Sequence, residues 1–216
     1  MTMQLILENT PFAALLQASA DHHKHLCPRQ VLGVRMGQTA GKILGLEVPQ
    51  TDKRLFTFIE TDGCMLDGVV AGAGCSVGRR TMHIFDFGKM AATFVDQETG
   101  RAVRISPHPE ARTLCSEYAP ESNDRWHAYV FAYQLMPAEK LFLIQPVQLT
   151  VSMQAIISRK GARAVCDGCG EEVFNDREVI FNGKVLCQTC AGQGYYTALP
   201  TLGVEVLPEM ACVNRS

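Results

Sequence analysis

A chain of 216 residues with 47 % apolar and 19 % charged content has room for one sizeable core plus a small module. Its net charge of −2 and isoelectric point near 6.3 supply no global basic field for nucleic acid or anionic membrane. The first residues lack a basic region followed by an apolar run, and no stretch approaches twenty uninterrupted apolar residues, so neither secretion nor membrane insertion is expected. Nine cysteines, an odd number set as short pairs and singles, suit metal chemistry in a reducing compartment better than a disulfide framework, and a cytoplasmic location follows.

Taken in order, Asn9-Thr10-Pro11 starts a helix, with Thr10 as cap and Pro11 in the first helical position. That helix carries Phe12, Leu15, Leu16 and Ala20 on its apolar side and runs out near the histidines. Pro28 disfavours helical geometry at Cys27 and begins a second helix, to about Leu44. Gly33, Gly37 and Gly41 stand at steps of four in it. Each weakens a helix by about 1 kcal/mol, so something must pack very close to that face, and the same helix of a second subunit is expected there. Leu55 to Ile59 is a strand, followed by a small-residue helix from Cys64 to about Ala73. Ala91 to Val95 and Ala102 to Ile105 form a hairpin across the turn Asp96–Gly100. Helices near Pro109–Tyr118 and Asn123–Leu135 come next, then an extended segment from Phe142 to Val151 that Pro146 restricts to an edge or bulge.

Arg159 to Arg163 reads as a linker into a cysteine module. Cys166-Asp-Gly-Cys169 and Cys187-Gln-Thr-Cys190 stand seventeen residues apart, the spacing of a structural zinc site. Two knuckles of two thiolates each complete a zinc tetrahedron with no position left open. Gly168 and Gly170 let the first knuckle turn its amides toward the sulfurs. Val179–Phe181 and Lys184–Leu186 form a hairpin around Asn182-Gly183, and the second cysteine pair opens a short helix. The domain division expected is therefore a core over 1–158, a linker over 159–163, the module over 164–195 and a tail over 196–216.

A second constellation lies in the core: His22, His23, His25 and Cys27 within six residues, then Cys64 and Asp67 after the first strand. At a helix start Cys27 faces unpaired amides and a positive dipole end, which favour its thiolate and make it the more reactive thiol. Cys64 and Asp67, three apart, share a helix face. A continuous helix would put Cys75 roughly 16 Å beyond Cys64, outside any site built on it, but Gly72 and Gly74 between them leave the continuation of the helix open.

These residues resemble a known family. His23-Lys24-His25-Leu26-Cys27-Pro28 with Leu32-Gly33-Val34-Arg35-Met36-Gly37 looks like the N-terminal motif of the FmdE family, named for a component of formylmethanofuran dehydrogenase. So do Glu60-Thr61-Asp62-Gly63-Cys64-Met65-Leu66-Asp67, Gly74-Cys75-Ser76-Val77-Gly78 and Phe87-Gly88-Lys89-Met90-Ala91. The resemblance spans about residues 10 to 155. It implies an α+β core domain with a small C-terminal treble-clef-like zinc finger, and an intertwined homodimer. The family motif usually has glycine where Lys24 and Arg29 stand, which makes the mouth of the site more basic.

The resulting expectation is a metal-binding accessory protein linked to molybdenum or tungsten enzyme systems, partnered by their oxidoreductase subunits. Cys166, Cys169, Cys187 and Cys190 would hold structural zinc. His23, His25, Cys27 and Cys64 would hold a second transition metal of the zinc or nickel class, with Lys89 and Arg29 supplying charge for an anionic ligand such as a pterin phosphate or an oxyanion. Two alternatives stay open: a zinc-finger regulatory protein that binds protein or nucleic acid, and a thiol-dependent enzyme with Cys27 or Cys64 as nucleophile. Against nucleic acid, the five basic residues from Arg159 to Cys190 are balanced by five acidic ones. No reaction is read from the sequence.

Overall fold

Two helices open the fold, each with a start that supplies its own cap. In the computed structural model, which describes residues 10–158 and 161–197, Thr10 accepts a hydrogen bond from the Ala13 amide at 3.1 Å, and α1 runs Pro11–His23. Lys24 ends it in a left-handed conformation (φ 60°). Cys27 is extended ahead of Pro28, and α2 runs Pro28–Leu44 to a left-handed Gly45. The Gln30 carboxamide accepts from the Cys27 amide and donates to the Ser19 carbonyl, both at 2.7 Å. Fully buried Gln30 thus ties the start of α2 to α1.

Five strands form one sheet: β1 (Leu55–Ile59), β2 (Met82–Ile84), β3 (Ala92–Asp96), β4 (Ala102–Pro107) and β5 (Phe142–Val147), in the order β2-β1-β3-β4-β5. Only β1 and β2 pair in parallel, across a crossover that contains α3 (Cys64–Ala73). β1 and β3 are buried at every position, and Leu16, Met36, Ile59, Met65, Phe94 and Ile105 form the centre of the core. Pro146 lies on the edge strand β5, where its missing N–H costs no ladder bond. The α+β class expected from the sequence is the one adopted.

Two expected helices are shorter than foreseen. The first is confined to α4 (Cys115–Tyr118), because residues 109–114 are turns in which His108 Nδ1 accepts from the Glu110 amide at 3.2 Å. The second, α5 (Arg125–Leu135), starts after Asp124, whose side chain accepts from the His127 amide. A short α6 (Ala138–Leu141) then leads into β5.

The glycine face of α2 is occupied within the same chain, which corrects the expectation that a second subunit packs there. A Cβ on Gly37 would lie 2.6 Å from the Ala73 nitrogen and the Gly72 carbonyl carbon, and one on Gly33 would meet the Met65 carbonyl oxygen. Gly68 and Gly72 answer from α3, where a Cβ would meet the backbone of Gln30 and of Val34. Gly41 faces the Val48 side chain instead. Contacts advance in step along both helices, so α2 and α3 run parallel with their backbones nearly touching.

The chain divides into two compact units at Val151 and Ser152. The second begins with α7 (Met153–Ser158) and continues as two hairpins, β6 (Arg163–Val165) with β7 (Glu172–Phe174) and β8 (Val179–Phe181) with β9 (Lys184–Leu186). Residues 159 and 160 of the expected linker and 198–216 of the expected tail lie outside the described residues. Among the described residues, no helix is long and apolar enough to cross a membrane.

Two outcomes test this packing. Gly68→Ala inserts a methyl against backbone that cannot yield as a side chain would, and should cost about 1–3 kcal/mol in denaturant melts. Gly78→Ala, which meets open space, is the near-neutral control. Separately, Asp96, 1 % exposed, takes two bonds from Arg54 at 2.9 and 2.8 Å, which hold its carboxyl well below the usual carboxylate range. A depressed carboxyl stabilises the fold above its unfolded pKa of about 3.9 and loses that stabilisation as pH falls toward the folded value. Asp96→Asn should therefore melt lower at pH 7 and show a flatter decline in Tm below pH 4 than the wild type.

Candidate functional sites

In the second unit, all four sulfurs of Cys166, Cys169, Cys187 and Cys190 lie within 4.8 Å of one another. Zn–S bonds of about 2.3 Å imply tetrahedral sulfur–sulfur edges of about 3.8 Å. The Cys169–Cys187 separation is 3.9 Å, so the donor set fits one tetrahedral ion such as zinc. Local chain geometry explains the convergence. Gly170 is left-handed (φ 78°) and closes the first knuckle, with its amide on the Cys166 carbonyl at 2.9 Å. Asn182 and Gly183 are both at positive φ, as the tight β8–β9 turn requires. Asp167 joins the knuckle to β9: its amide donates to the Val185 carbonyl at 2.7 Å, and its carboxylate accepts from the Val185 amide at 2.8 Å. Cys190 lies in the wide helical turn Thr189–Gln193 rather than opening a regular helix.

Electrostatics divide the four thiols. Amides of Cys187, Cys169 and Gly168 pull Cys166 down to about 6, with the Cys187 amide 3.2 Å from its sulfur. Cys190 is pushed up to about 12 by the neighbouring sulfurs, Cys187 first. So many sulfurs at such close range cannot all ionise without a cation among them, which is the chemistry of a metal site.

In the first unit, α2 and α3 begin side by side, which brings Cys27 at the α2 cap and Cys64 at the first position of α3 together. They interact directly and line the same pocket, of about 800 Å³. Burial pushes the Cys27 thiol up, and the Gln30 and Arg29 amides only partly offset this. The expected thiolate-favouring position is thereby corrected: desolvation outweighs the helix start. Cys75 does not continue α3, which ends at Ala73 with a left-handed Gly74; it lies outside the pocket lining, buried and donating to the Leu55 carbonyl at 3.2 Å. His25 is exposed and outside the pocket lining, and the side chain of His23 lies outside the described residues. Among the described residues, no third His, Cys, Asp or Glu joins Cys27 and Cys64 in a ligand cluster.

The rest of the lining was partly foreseen. Arg29 and Lys89 both reach the pocket, but so do Arg104 and Arg112, as well as Trp126, Tyr129 and Tyr133 of α5, which sequence reasoning missed. Arg104 could have been noticed as a lone cation on an apolar strand, and the three aromatics as an i, i+3, i+7 stripe. Glu60 organises this wall: its carbonyl accepts from the Phe87 and Lys89 amides at 3.0 Å, and its carboxylate binds Arg104 at 2.6 and 2.8 Å.

An α+β core with a thiol-containing pocket, followed by a small four-cysteine module, defines the class of protein. The chain belongs to the FmdE family, described as "FmdE, Molybdenum formylmethanofuran dehydrogenase operon", whose model matches residues 22–143. Its fold resembles the crystal structure of an FmdE-like protein of the tungsten formylmethanofuran dehydrogenase type from Syntrophus aciditrophicus. That match has a TM-score of 0.61 at 19 % identity and covers 91 % of this chain and all of that one. The chain is also 27 % identical to a probable S-adenosyl-L-methionine-binding protein of Archaeoglobus fulgidus, with 84 % of this chain aligned. It spans about half of that relative's length, 53 %.

The finger geometry makes a specific forecast. Asp167→Ala removes a second-layer support of the cluster while leaving all four sulfurs, and should weaken metal retention about 10–100-fold in a chelator competition. Cys190→Ser should lose that metal outright and expose residues 164–195 to protease, with the core still melting cooperatively.

Proposed function

We propose that this chain is a metal-binding accessory protein of molybdenum or tungsten enzyme systems of the formylmethanofuran dehydrogenase type. In this reading Cys166, Cys169, Cys187 and Cys190 hold a structural zinc. Cys27 and Cys64 hold a second ion of the zinc or nickel class in the core, completed by His23 or by an exposed His25 that would have to turn in from outside the pocket lining. Three protein ligands would leave a coordination position for a small ligand, as functional sites require. The observation that carries the reading is the meeting of Cys27 and Cys64 at the head of a ligand-sized pocket in a member of this family. We further take 1–158 as the core, 159–163 as linker, 164–195 as the finger and 196–216 as tail. The setting is cytoplasmic, and the partners are oxidoreductase subunits and a second copy of the chain, docked by a surface other than the glycine face.

Two other readings are weaker. A thiol enzyme needs a thiolate near neutral pH, and burial moves Cys27 the other way. The name of the Archaeoglobus relative suggests S-adenosylmethionine, but none of the residues lining the pocket is a carboxylate that could meet its sulfonium and ammonium charges.

Elemental analysis decides. The wild type should carry two metals per chain, and Cys27→Ala and Cys64→Ala one each. Cys166→Ser should also carry one, retaining the metal that the other two variants lose. Equal metal content in wild type, Cys27→Ala and Cys64→Ala would end the core-metal reading.

A further inference from the structure

The lining of the Cys27–Cys64 pocket is chemically one-sided. Four cations reach it: Arg29 from α2, Lys89 from the segment before β3, Arg104 from β4 and Arg112 from the turns before α4. Among the described residues, no carboxylate lines it. Glu60 compensates Arg104 by its two-point pair. Among the described residues, Arg29, Lys89 and Arg112 are in no ion pair. The chain as a whole is slightly acidic, so this concentration is local. Both α2 and α3 also begin here, adding the positive ends of two helix dipoles.

A second feature of the lining is the aromatic contribution of α5. Trp126, Tyr129 and Tyr133 share one face of α5, with the two tyrosine rings stacked at 5.7 Å and 5°. Core packing accounts for Tyr133, which is 3 % exposed. It does not account for Trp126, which is 39 % exposed at the mouth. An exposed Trp126 beside cations that are in no ion pair, one of which (Arg112) is hydrogen-bonded to Tyr133, suits a planar anion. A volume of about 800 Å³ is also far larger than an inorganic oxyanion fills.

We propose that this pocket takes an organic anion built on a planar ring system, its phosphate or carboxylate held by Arg29, Lys89 and Arg112 and its ring laid on Trp126 and Tyr129. The proposal rests on reading the pocket as the functional centre, and it adds the class of ligand. Charge sets entry and the aromatic wall sets fit, so neither half of such a ligand should bind well alone.

The test uses the full chain and four probes: adenosine 5′-monophosphate, adenosine-5′-carboxylic acid, adenosine and inorganic phosphate. Trp126 is the only tryptophan of the chain, so its fluorescence reports the pocket directly, with calorimetry for stoichiometry. At least one of the two ring-bearing anions should bind at one site per chain and perturb Trp126, and which one does so distinguishes phosphate from carboxylate. Adenosine and inorganic phosphate should each bind at least about tenfold more weakly, the loss of one charge-assisted contact set. The double variant Arg29→Ala/Arg112→Ala, with circular dichroism confirming its fold, should lose about tenfold or more and show a shallower salt dependence. Adenosine binding as tightly as the anions, affinity unchanged in the double variant, or no binding of either anion at millimolar concentration would each overturn the proposal. Counting the metal in the titrated wild type separates the two ideas. Binding by a wild type that carries one metal per chain removes only the metal reading, and two metals per chain in the wild type without any binding removes only this one.

Discussion

Contact between the backbones of α2 and α3 is the constraint on which the first unit depends. Side chains normally keep helix axes 8–10 Å apart, and four glycines remove that spacer along one seam. Because the helices are parallel, their N-termini fall side by side, and the residues that open them are Cys27 and Cys64. Two cysteines 37 positions apart in the sequence become neighbours for a reason that has nothing to do with sulfur. The glycines lower the intrinsic helix propensity of α2, and burial of most of its length offsets that deficit. The Gln30 side chain, bridging Cys27 and Ser19, then fixes the angle at which the first thiol enters.

The two groups of cysteines illustrate opposite ways of handling a thiol. In the finger, amides converge on Cys166 and favour its anion, while crowding raises Cys190, so the set is balanced only around a cation. In the core, amides also point at Cys27, but burial outweighs them and pushes its thiol up. The difference is solvent, since hydrogen-bond donors alone do not decide ionisation once a group is buried. Ion pairs elsewhere follow the same rule: Arg54 with Asp96 and Arg104 with Glu60 each put two donors on one carboxylate, which suits groups that are mostly withdrawn from water.

Much of this was legible in the chain. The finger could be read because metal geometry imposes a spacing, and the β8–β9 turn because two positive φ angles demand Asn-Gly. The Thr10-Pro11 and Cys27-Pro28 starts followed from the needs of a helix terminus. What escaped depends on distance in space. The glycine face announced a close neighbour, but periodicity could not say that the neighbour was α3 rather than another copy. The Cys27 position was read from its local amides alone, and burial, a property of the whole fold, reversed the direction. Arg112 and Trp126 reach the pocket from separate turns and helices, and no short pattern joins them.

The parallel seam has a consequence for how the family can vary. A residue inserted between Cys27 and Gly33 would rotate everything before it by about 100° around α2, carrying the thiol off the pocket while the glycines kept their register. The same insertion between Gly45 and Leu55, outside both helices, changes only a connection and leaves the phase of both cysteines untouched. Length in this unit is therefore free in its connections and quantised in its helical openings. Lineages that share the pocket should differ in loop length and agree, residue for residue, in the count from thiol to glycine.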